Sequence, residues 1–391
     1  MPYFSFSLKS NIDKVFEFLG DNKENIKLNT KYYSKNSKIY KLFNNRKYYN
    51  LIENIQYEKR EKIKLIGKKI LICLPPSIGL GDSVEYALFS KALVESNLFD
   101  KVGIAYVDRF KIIFKKFFNL SNIYPNFISQ TELNTYDTIF HVTLEINQLK
   151  NQKYSREDIE GALTHYFNIK KFRKKITKNY NKINKITIFP ISESPLRTLN
   201  DKLINNLVRK FNNYSFDIIL DRSSEISNYL DKLISSDNIN KIYPENLIDL
   251  IKEIEKVEFG IFPDSGPLHL AKILGIRGIL LTTTVNGKKL LNGFNSIEEF
   301  LNNYQSNYCS APCGLTNIFN YNNSIGCYDS LKIKKNEILN LKSFNKLQRG
   351  SLKKNYINFI DNPVGCHDNI DVKSLYKHLI EKLNNYGSRN S

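Results

Sequence analysis

The chain has 391 residues, and its 58 lysines and arginines outnumber 39 aspartates and glutamates, which gives a formal net charge of +19. This length is too great for one core and suits two domains of roughly 150 residues each, with further segments beside them. No stretch approaches the ~20 apolar residues of a membrane span, and the start MPYFSFSLKS lacks a signal-peptide pattern, so we expect a cytoplasmic protein.

The positive charge does not indicate a nucleic-acid partner, because lysine is scattered along the chain and forms no basic face with aromatic platforms. Abundant Lys, Asn, Ile and Tyr, with no Trp and one Met, are typical of nucleotide bias in a coding sequence. Basic residues clearly outnumber acidic ones in residues 1–70. We therefore expect a weak peripheral contact with the inner face of an anionic membrane.

Residues 1–66 are polar and predict an N-terminal extension that docks on the main body through short amphipathic pieces at 15–19 and 48–52. From residue 68 the pattern changes to an apolar strand at 70–74, a Pro- and Gly-rich turn, and a helix. The segments VGIAYV, FKIIFKKFF and DTIFHVTL continue the alternation of strands and helices. This pattern predicts a Rossmann-like domain at 67–180, with a parallel sheet covered by helices.

A basic, Asn-rich linker at 170–185 leads into a second alternation, which predicts another Rossmann-like domain at 185–350. A loop and a packing helix at 371–387 complete the chain at 351–391. The predicted elements of the second domain are strands at 186–191, 216–220 and 240–243 and helices at 200–211, 224–235 and 245–256. Because ligands collect at the carboxyl ends of strands in open α/β sheets, two such domains facing one another would bind a ligand in a cleft.

The run VEFGIFPDSGPLHLAKILGIRGILL at 257–281 is the strongest signal in the chain. It predicts a strand at 259–262, a helix capped by Asp264 and closed by Gly275, and a further strand. Gly266 lets the backbone approach a ligand, and the N–H groups of the first helical turn favour a phosphate beside Ser265 and His269. The alternative is an ordinary strand-to-helix junction in which Asp264 is only a cap.

Five cysteines in a cytoplasmic chain argue against a disulfide framework. Cys73 lies in an apolar strand and is predicted to be a core residue. Loop-like sequence holds the other four, and their C-x3-C pair is compatible with tetrahedral thiolate ligation of a structural Zn or Fe ion. These candidate ligands are Cys309, Cys313, Cys327 and Cys366. Free thiols and disulfides are the alternatives.

Three segments together resemble the heptosyltransferase group, glycosyltransferase family 9. In ILICLPPSIGLGD the family's Gly-Asp pair is matched by Gly81 and Asp82. FPISESPLRTLNDKLINNLVRKF is similar to its Ser/Thr-rich loop and helix, with Arg197 where Lys is usual. FPDSGPLHLAKILGI matches its most specific motif, with Ser265 replacing Thr. The resemblance runs from about residue 68 to 387 and implies the α/β GT-B fold, two Rossmann-like domains facing a central cleft, here with an N-terminal extension.

The resemblance implies an inverting transfer of a sugar from a nucleotide diphosphate sugar, typically ADP-heptose. The acceptor would be a hydroxyl of lipopolysaccharide or of another glycan, lipid-linked or protein acceptor. Asp82 is then the candidate general base that takes the acceptor's proton, and a helix cap is its alternative role. Such an enzyme requires no cofactor for catalysis. A degenerate member that binds nucleotide sugar or glycan without turnover is the alternative function.

Charge that develops on the leaving β-phosphate needs preorganised donors, which the Arg197 guanidinium, the His269 ring and the backbone at 265–268 can supply without a metal ion. As alternatives to binding phosphate, Arg197 is a solvated loop charge and His269 is a structural residue. Glu225 resembles the family position that holds the ribose hydroxyls. The predicted nucleotide-sugar-binding residues are Ser192, Arg197, Glu225, Asp264, Ser265, Gly266, Pro267, Leu268 and His269. Some protein-modifying relatives also carry a four-cysteine iron or zinc element and form oligomers.

Overall fold

The chain forms two compact units, Met1–Arg173 and Lys174–Ser391, which we call unit 1 and unit 2. The computed structural model describes residues 3–8, 27–36, 39–41, 52–58, 65, 67–75, 78–142, 158–173, 183–307, 310–314, 327 and 363–387.

In the described part of unit 1, strands predominate up to residue 58, and strands then alternate with helices from residue 69. Its described elements are β1 (Tyr3–Leu8), β2 (Lys31–Ser34), β3 (Ile52–Glu58), β4 (Lys69–Cys73), α1 (Leu80–Glu95), β5 (Lys101–Ala105), α2 (Lys111–Lys116), β6 (Ile123–Tyr124), β7 (Phe127–Ser129), α3 (Gln130–Leu133), β8 (Thr138–His141) and α4 (Ile159–Tyr166).

The parallel sheet of unit 1 has the strand order β6-β5-β4-β8, which confirms the α/β prediction for this part of the chain. Among the strands of this sheet, β4 comes first in the sequence, and it lies between β5 and β8. The chain therefore reverses its direction of winding beside β4, and a crevice opens at such a point in open α/β sheets. Helix α1 begins seven residues after β4, so its first turn lies at this edge of the sheet.

The N-terminal strands belong to a second sheet of unit 1, with the order β3-β1-β2-β7 and antiparallel pairing throughout. Strand β2 pairs with β7 through Tyr33 and Ile128, and Tyr33 also packs in one core cluster with Leu71 and Cys73 of β4. The N-terminal region thus shares the core of unit 1. The predicted amphipathic piece at 15–19 and nearly all of that at 48–52 lie outside the described residues.

Cys73 is fully buried, as predicted for a core residue. Burial raises the pKa of its thiol to about 12, because the thiolate would lose its hydration. The side chain is therefore an inert thiol at neutral pH.

A buried ion pair joins α4 to the segment that follows it. Glu160 is inaccessible to solvent, and its Oε1 and Oε2 accept hydrogen bonds of 2.7 and 2.9 Å from Nη1 and Nη2 of Arg173. Carboxylate oxygens of Glu85, Asp158 and Glu160 lie within 4.8 Å of one another. Burial raises the pKa of Glu160, Arg173 opposes that shift, and Glu85 adds to it. Arg173 thus compensates a buried negative charge in an acidic environment.

Unit 2 alternates strands and helices up to residue 301 and ends in a long helix. Its described elements are β9 (Lys185–Ile188), α5 (Asp201–Lys210), β10 (Ser215–Ile219), α6 (Glu225–Leu233), β11 (Ile239–Ile242), α7 (Leu247–Glu255), β12 (Phe259–Phe262), α8 (Gly266–Ile273), β13 (Gly278–Thr282), α9 (Gly287–Leu291), β14 (Ile297–Leu301), β15 (Tyr304–Gln305), β16 (Ser310–Ala311), α10 (Gly365–Asp368) and α11 (Val372–Gly387).

The six-stranded sheet of unit 2 is parallel, with the order β11-β10-β9-β12-β13-β14. Numbered along unit 2, this is the Rossmann order 3-2-1-4-5-6, in which the winding reverses between the first and fourth strands. These two strands are β9 and β12. The crevice expected to hold a ligand lies at their carboxyl ends.

The C-terminal end of α8 follows its sequence signal. Gly275, one residue beyond the C-cap Leu274, adopts a φ of 67°, a conformation that glycine accepts without strain, which confirms its predicted role. The predicted packing helix is α11, and its Leu375, Leu379 and Leu383 enter the core of unit 2. Among the described helices, none is long and apolar enough to cross a membrane.

Replacing Arg173 by Met should destabilise the protein by about 3 kcal/mol, because Glu160 would keep a buried charge without its partner. Replacing Lys171 by Met is the matched control: its pair with Asp158 is more exposed, at 3.4 Å, and should contribute less than about 1 kcal/mol. Urea unfolding of both variants measures the difference. Equal losses would show that the Glu160–Arg173 pair does not compensate a buried charge.

The same pair predicts a pH dependence. The folded pKa of Glu160 lies above its ordinary value of 4.5, so its contribution to stability is fully present below that value and is lost as pH rises towards the folded pKa. Removal of Arg173 raises the folded pKa further, so in Arg173→Met the loss should extend to higher pH. The double variant Glu160→Gln, Arg173→Met has no carboxyl group at position 160. Its stability in urea unfolding should therefore lack the additional loss that Arg173→Met shows as pH rises from 4 to 8.

Candidate functional site

Two loops meet at the crevice of unit 2. One follows β9 and runs through residues 189–200, and the other follows β12 at residues 263–265. Strands β9 and β12 are hydrogen-bonded neighbours, so both loops leave the same edge of the sheet. Most of the residues predicted to bind a nucleotide sugar lie in these loops and at the start of α8.

The loop after β9 is held by its own hydrogen bonds. The Thr198 hydroxyl lies 3.2 Å from the carbonyl of Ser192 and 3.0 Å from that of Ser194, and accepts from the Ser192 N–H at 3.1 Å. The Ser194 carbonyl also accepts from the N–H groups of Arg197 and Thr198, both at 3.1 Å. The result is a compact buried turn that presents Arg197.

Asp264 joins this loop to the start of α8. Its carbonyl oxygen accepts from the Ser192 hydroxyl at 3.0 Å and from Nη1 of Arg197 at 3.1 Å. Its carboxylate Oδ2 also accepts from Arg197 Nη1, at 3.0 Å. Arg197 is therefore not a solvated loop charge, because most of its side chain is buried against Asp264.

The prediction that Asp264 caps the helix is wrong. Helix α8 begins at Gly266, so the cap position falls to Ser265, which has the extended φ and ψ of −151° and 166° that this position requires. Asp264 lies one residue too early to reach the free N–H groups of the first turn. Its carboxylate faces Arg197 instead.

Ser265 occupies the cap position without making a capping hydrogen bond. Its side chain is 5% exposed, and its Oγ has no hydrogen-bond partner among the described residues. An unsatisfied buried hydroxyl costs about 1–3 kcal/mol. Beside it, the first-turn N–H groups of α8 carry the positive end of the helix dipole. A hydroxyl placed there suits an anionic oxygen.

A second buried hydroxyl, that of Thr284, follows the next strand of the sheet, β13. Thr284 is 1% exposed, and its Oγ1 also lacks a hydrogen-bond partner within the described ranges. Sequence inspection did not single out this residue, since a threonine after an apolar strand has no distinguishing pattern. Two buried hydroxyls without a partner among the described residues thus follow adjacent strands at the carboxyl edge of the sheet.

The remaining predicted residues of unit 2 are placed as follows. Gly266 and Pro267 form the first turn of α8, and His269 is buried one turn further on. Leu268 is fully buried in the core, so only its backbone can face a ligand. Glu225 opens α6 after β10 and is exposed, on the side of β9 opposite to β12.

Asp82 belongs to unit 1, in the first turn of α1. It is the third residue of the helix and not its cap: Gly79 holds the cap position, and its N–H donates to Asp82 Oδ2 at 3.2 Å. The carboxylate is exposed, and Oδ1 has no partner in the part of the chain that the structure describes. Asp82 is therefore held by one oxygen at the carboxyl edge of the unit 1 sheet.

The described cysteines do not gather into a metal site. Cys313 is exposed, whereas Cys327 and Cys366 are buried, and Cys309 lies outside the described residues. Within the described ranges, no three of these thiols lie within ligand distance of one another. The four-cysteine prediction therefore has no support from the three members that can be placed.

A buried histidine that sequence analysis did not single out lies behind the Arg197 loop. Nε2 of His367, on α10, hydrogen-bonds the carbonyl of Leu196. The Thr283 hydroxyl donates to the same carbonyl at 2.9 Å. Burial lowers the pKa of His367 to about 4, so its imidazole is neutral near pH 7. No local pattern could reveal this contact, because the two residues are 171 positions apart.

Unit 2 is thus a parallel α/β unit of Rossmann order with a candidate anion site at its crevice. Neither the protein-family models nor the curated proteins compared with the chain give a match.

Solved structures similar to the chain include members of the family that the three sequence segments resemble. A glycosyl transferase family 9 protein from Veillonella parvula is 10% identical with a TM-score of 0.45, over 59% of this chain and 85% of that one. The ADP-heptose lipopolysaccharide heptosyltransferase II of E. coli is 9% identical with a TM-score of 0.42, over 61% and 91%. TibC of enterotoxigenic E. coli, an iron-containing dodecameric glycosyltransferase, is 14% identical with a TM-score of 0.46, over 77% and 78%. At these identities none of them transfers a residue role to this chain.

Replacing Ser265 by Ala should leave stability unchanged or raise it by up to about 1 kcal/mol, because the buried hydroxyl makes no hydrogen bond within the described structure. Replacing Ser224, the cap of α6, is the matched control. Its Oγ accepts from the Ser227 N–H, so its loss should cost about 1 kcal/mol. Thermal unfolding separates the two. An equal loss of stability in both variants would contradict the assignment of an unsatisfied hydroxyl to Ser265.

Proposed function

We propose that the protein is an inverting glycosyltransferase that takes a sugar from a nucleotide diphosphate sugar. The observation that carries this proposal is the buried Ser265 hydroxyl at the N-terminus of α8, which has no hydrogen-bond partner among the described residues. It follows directly on Asp264, which pairs with Arg197 at the crevice of a Rossmann-order sheet. A helix N-terminus, a hydroxyl and a guanidinium together suit a diphosphate.

The position of this anion site favours a transferase over a dinucleotide-dependent oxidoreductase. Dinucleotide-binding sheets place the pyrophosphate at a glycine-rich turn after the first strand. Here the loop after the first strand of unit 2, β9, reads FPISESPLRTLN and contains no glycine. The glycine, the hydroxyl and the helix N-terminus follow the fourth strand, β12. The loop after β9 instead supplies Ser192 and Arg197 to brace that site.

In the proposed reaction, an acceptor hydroxyl attacks the anomeric carbon from the face opposite to the diphosphate. The new bond forms as the bond between that carbon and the β-phosphate oxygen breaks, which inverts the configuration. Asp82 takes the hydroxyl proton, and the nucleoside diphosphate leaves with the bonding electrons. Arg197, Ser265 and the N–H groups of α8 stabilise the charge that develops on the phosphate.

The proposed reaction requires Asp82 of unit 1 to reach a sugar bound on unit 2, as in a GT-B enzyme with a central cleft. ADP-heptose is the favoured donor, with Glu225 at the ribose hydroxyls and His269 at the phosphates. The acceptor would be lipopolysaccharide or another glycan, lipid-linked or protein acceptor, met in the cytoplasm at the inner face of the membrane. A degenerate protein that binds nucleotide sugar without turnover is the second candidate, because Asp82 Oδ2 is already used at the start of α1.

The experiment that tests donor binding is calorimetric titration with ADP, UDP and GDP in the absence of divalent cations. Selective binding of one nucleotide, weakened at least about tenfold by Arg197→Ala, would support the proposal, because a charged hydrogen bond is worth about 1.5–3 kcal/mol. Failure of all three to bind would overturn it. Binding without any transfer to glycan or protein acceptors would favour the degenerate protein.

Replacing Asp82 by Asn should lower kcat by about 10²–10⁴-fold, because the amide cannot accept the acceptor's proton. The amide oxygen still accepts from the Gly79 N–H, so the start of α1 and the melting temperature should be kept. Nucleotide affinity should stay near that of the wild type. Turnover measured by release of the nucleoside diphosphate decides the matter: equal kcat in the variant would remove Asp82 from the mechanism.

A further inference from the structure

We propose that His367 is a positioning residue for Arg197 and acts through the carbonyl of Leu196. The inference rests on the proposed function in one respect, that Arg197 binds the diphosphate. The C-terminal segment that carries His367 lies outside the three sequence motifs, and it would contribute to the anion site by orienting Arg197.

The peptide that links Leu196 to Arg197 is fixed at both of its polar ends. Its carbonyl oxygen accepts from His367 Nε2 and from the Thr283 hydroxyl. Its N–H, which belongs to Arg197, donates to the Ser194 carbonyl at 3.1 Å. Rotation of this peptide would change the backbone dihedral angles of Arg197 and so redirect its side chain. The two groups that donate to this carbonyl, His367 Nε2 and the Thr283 hydroxyl, thus control the direction of the Arg197 guanidinium.

His367 cannot serve as an acid or base through the nitrogen that faces the loop. A carbonyl oxygen only accepts hydrogen bonds, so Nε2 must carry the proton and donate it. The ring is 3% exposed, and Leu196 is fully buried. The imidazole therefore acts on the loop and not on a substrate.

The segment that carries His367 is itself held firmly. The Asn302 side-chain amide donates to the Cys366 carbonyl, and the N–H groups of His367 and Asp368 bond the Val364 carbonyl at 2.7 and 3.0 Å. Gly365 packs so closely on the ring of Tyr304 that a Cβ atom there would lie 2.1 Å from the tyrosine oxygen.

On its other side this segment leads into α11, which packs on α5, the helix that follows the Arg197 loop. The Tyr376 hydroxyl donates to the Asn206 carbonyl at 3.1 Å, and the Tyr376 and Phe211 rings are 5.9 Å apart. The C-terminal segment is thus anchored before and after His367. A fixed imidazole can hold a loop in place, whereas a mobile one cannot.

His367→Phe removes the donor and keeps a ring, His367→Gln keeps an N–H donor, and Thr283→Val removes the second donor with little change of shape. Thr282→Val is the matched control, because the Thr282 hydroxyl bonds Glu299 at 2.9 Å and not Leu196. The first measurement is amide hydrogen exchange of residues 192–199 without ligand. His367→Phe and Thr283→Val should speed exchange there, while His367→Gln and Thr282→Val should not.

The second measurement compares ADP with AMP, or the corresponding UDP and GDP pairs if the wild type selects them. His367→Phe should weaken the diphosphate about three- to tenfold, as expected for one lost hydrogen bond, and leave the monophosphate unchanged. In an Arg197→Ala background the effect should vanish, because His367 acts through that residue. A purely structural role would lower both affinities and give additive losses.

Unchanged loop exchange in both His367→Phe and Thr283→Val would overturn the inference, and so would additivity with Arg197→Ala. If His367→Phe fails to fold, Thr283→Val and His367→Gln still decide between the outcomes. If the wild type binds no nucleotide, the proposed function fails. Loop exchange then decides by itself whether His367 holds the Arg197 loop.

Discussion

The candidate site of unit 2 depends on the way Asp264 joins two loops. Its carbonyl accepts from Ser192 and Arg197, and its carboxylate pairs with the same guanidinium. These bonds link the loop after β9 to the turn after β12 across the reversal of the sheet. Helix α8 begins directly after this turn, at Gly266, so Ser265 and not Asp264 holds the cap position. The turn that pairs Asp264 with Arg197 thus also leads to the Ser265 hydroxyl at the start of α8.

Much of the fold could be predicted from sequence, because its signals are local. The strand at 259–262, the helix after it and the glycine at 275 follow from apolar runs, turn residues and a left-handed position. The parallel sheets follow from the alternation of strands and helices. Of the predicted binding residues, Ser192 and Arg197 both make direct contacts with Asp264.

What could not be predicted arises from contacts that are distant in sequence. Asp264 has the residue type of a cap, and only its ion pair with Arg197, 67 positions away, shows why it does not act as one. Strand β2 looked like part of an appended region, yet its pairing with β7 makes it part of the unit 1 core. His367 lies in loop-like sequence and meets Leu196 from across unit 2. None of these pairings changes the hydrophobic period or the turn chemistry of its own segment.

The groups of the site differ in what they contribute to the protein without a ligand. The Asp264 and Thr198 contacts satisfy buried polar groups and so stabilise the fold. Ser265 and Thr284 do the opposite, since each keeps a buried hydroxyl without a partner in the described structure. A sequence selected for stability alone would place alanine or valine there, because an apolar side chain removes the cost of an unsatisfied hydroxyl. The hydrogen bonds of Asp264 fix the residue directly before Ser265. A hydroxyl kept at a cost to stability next to a fixed turn is what the proposed anion site requires, and an ordinary strand-to-helix junction would not require it.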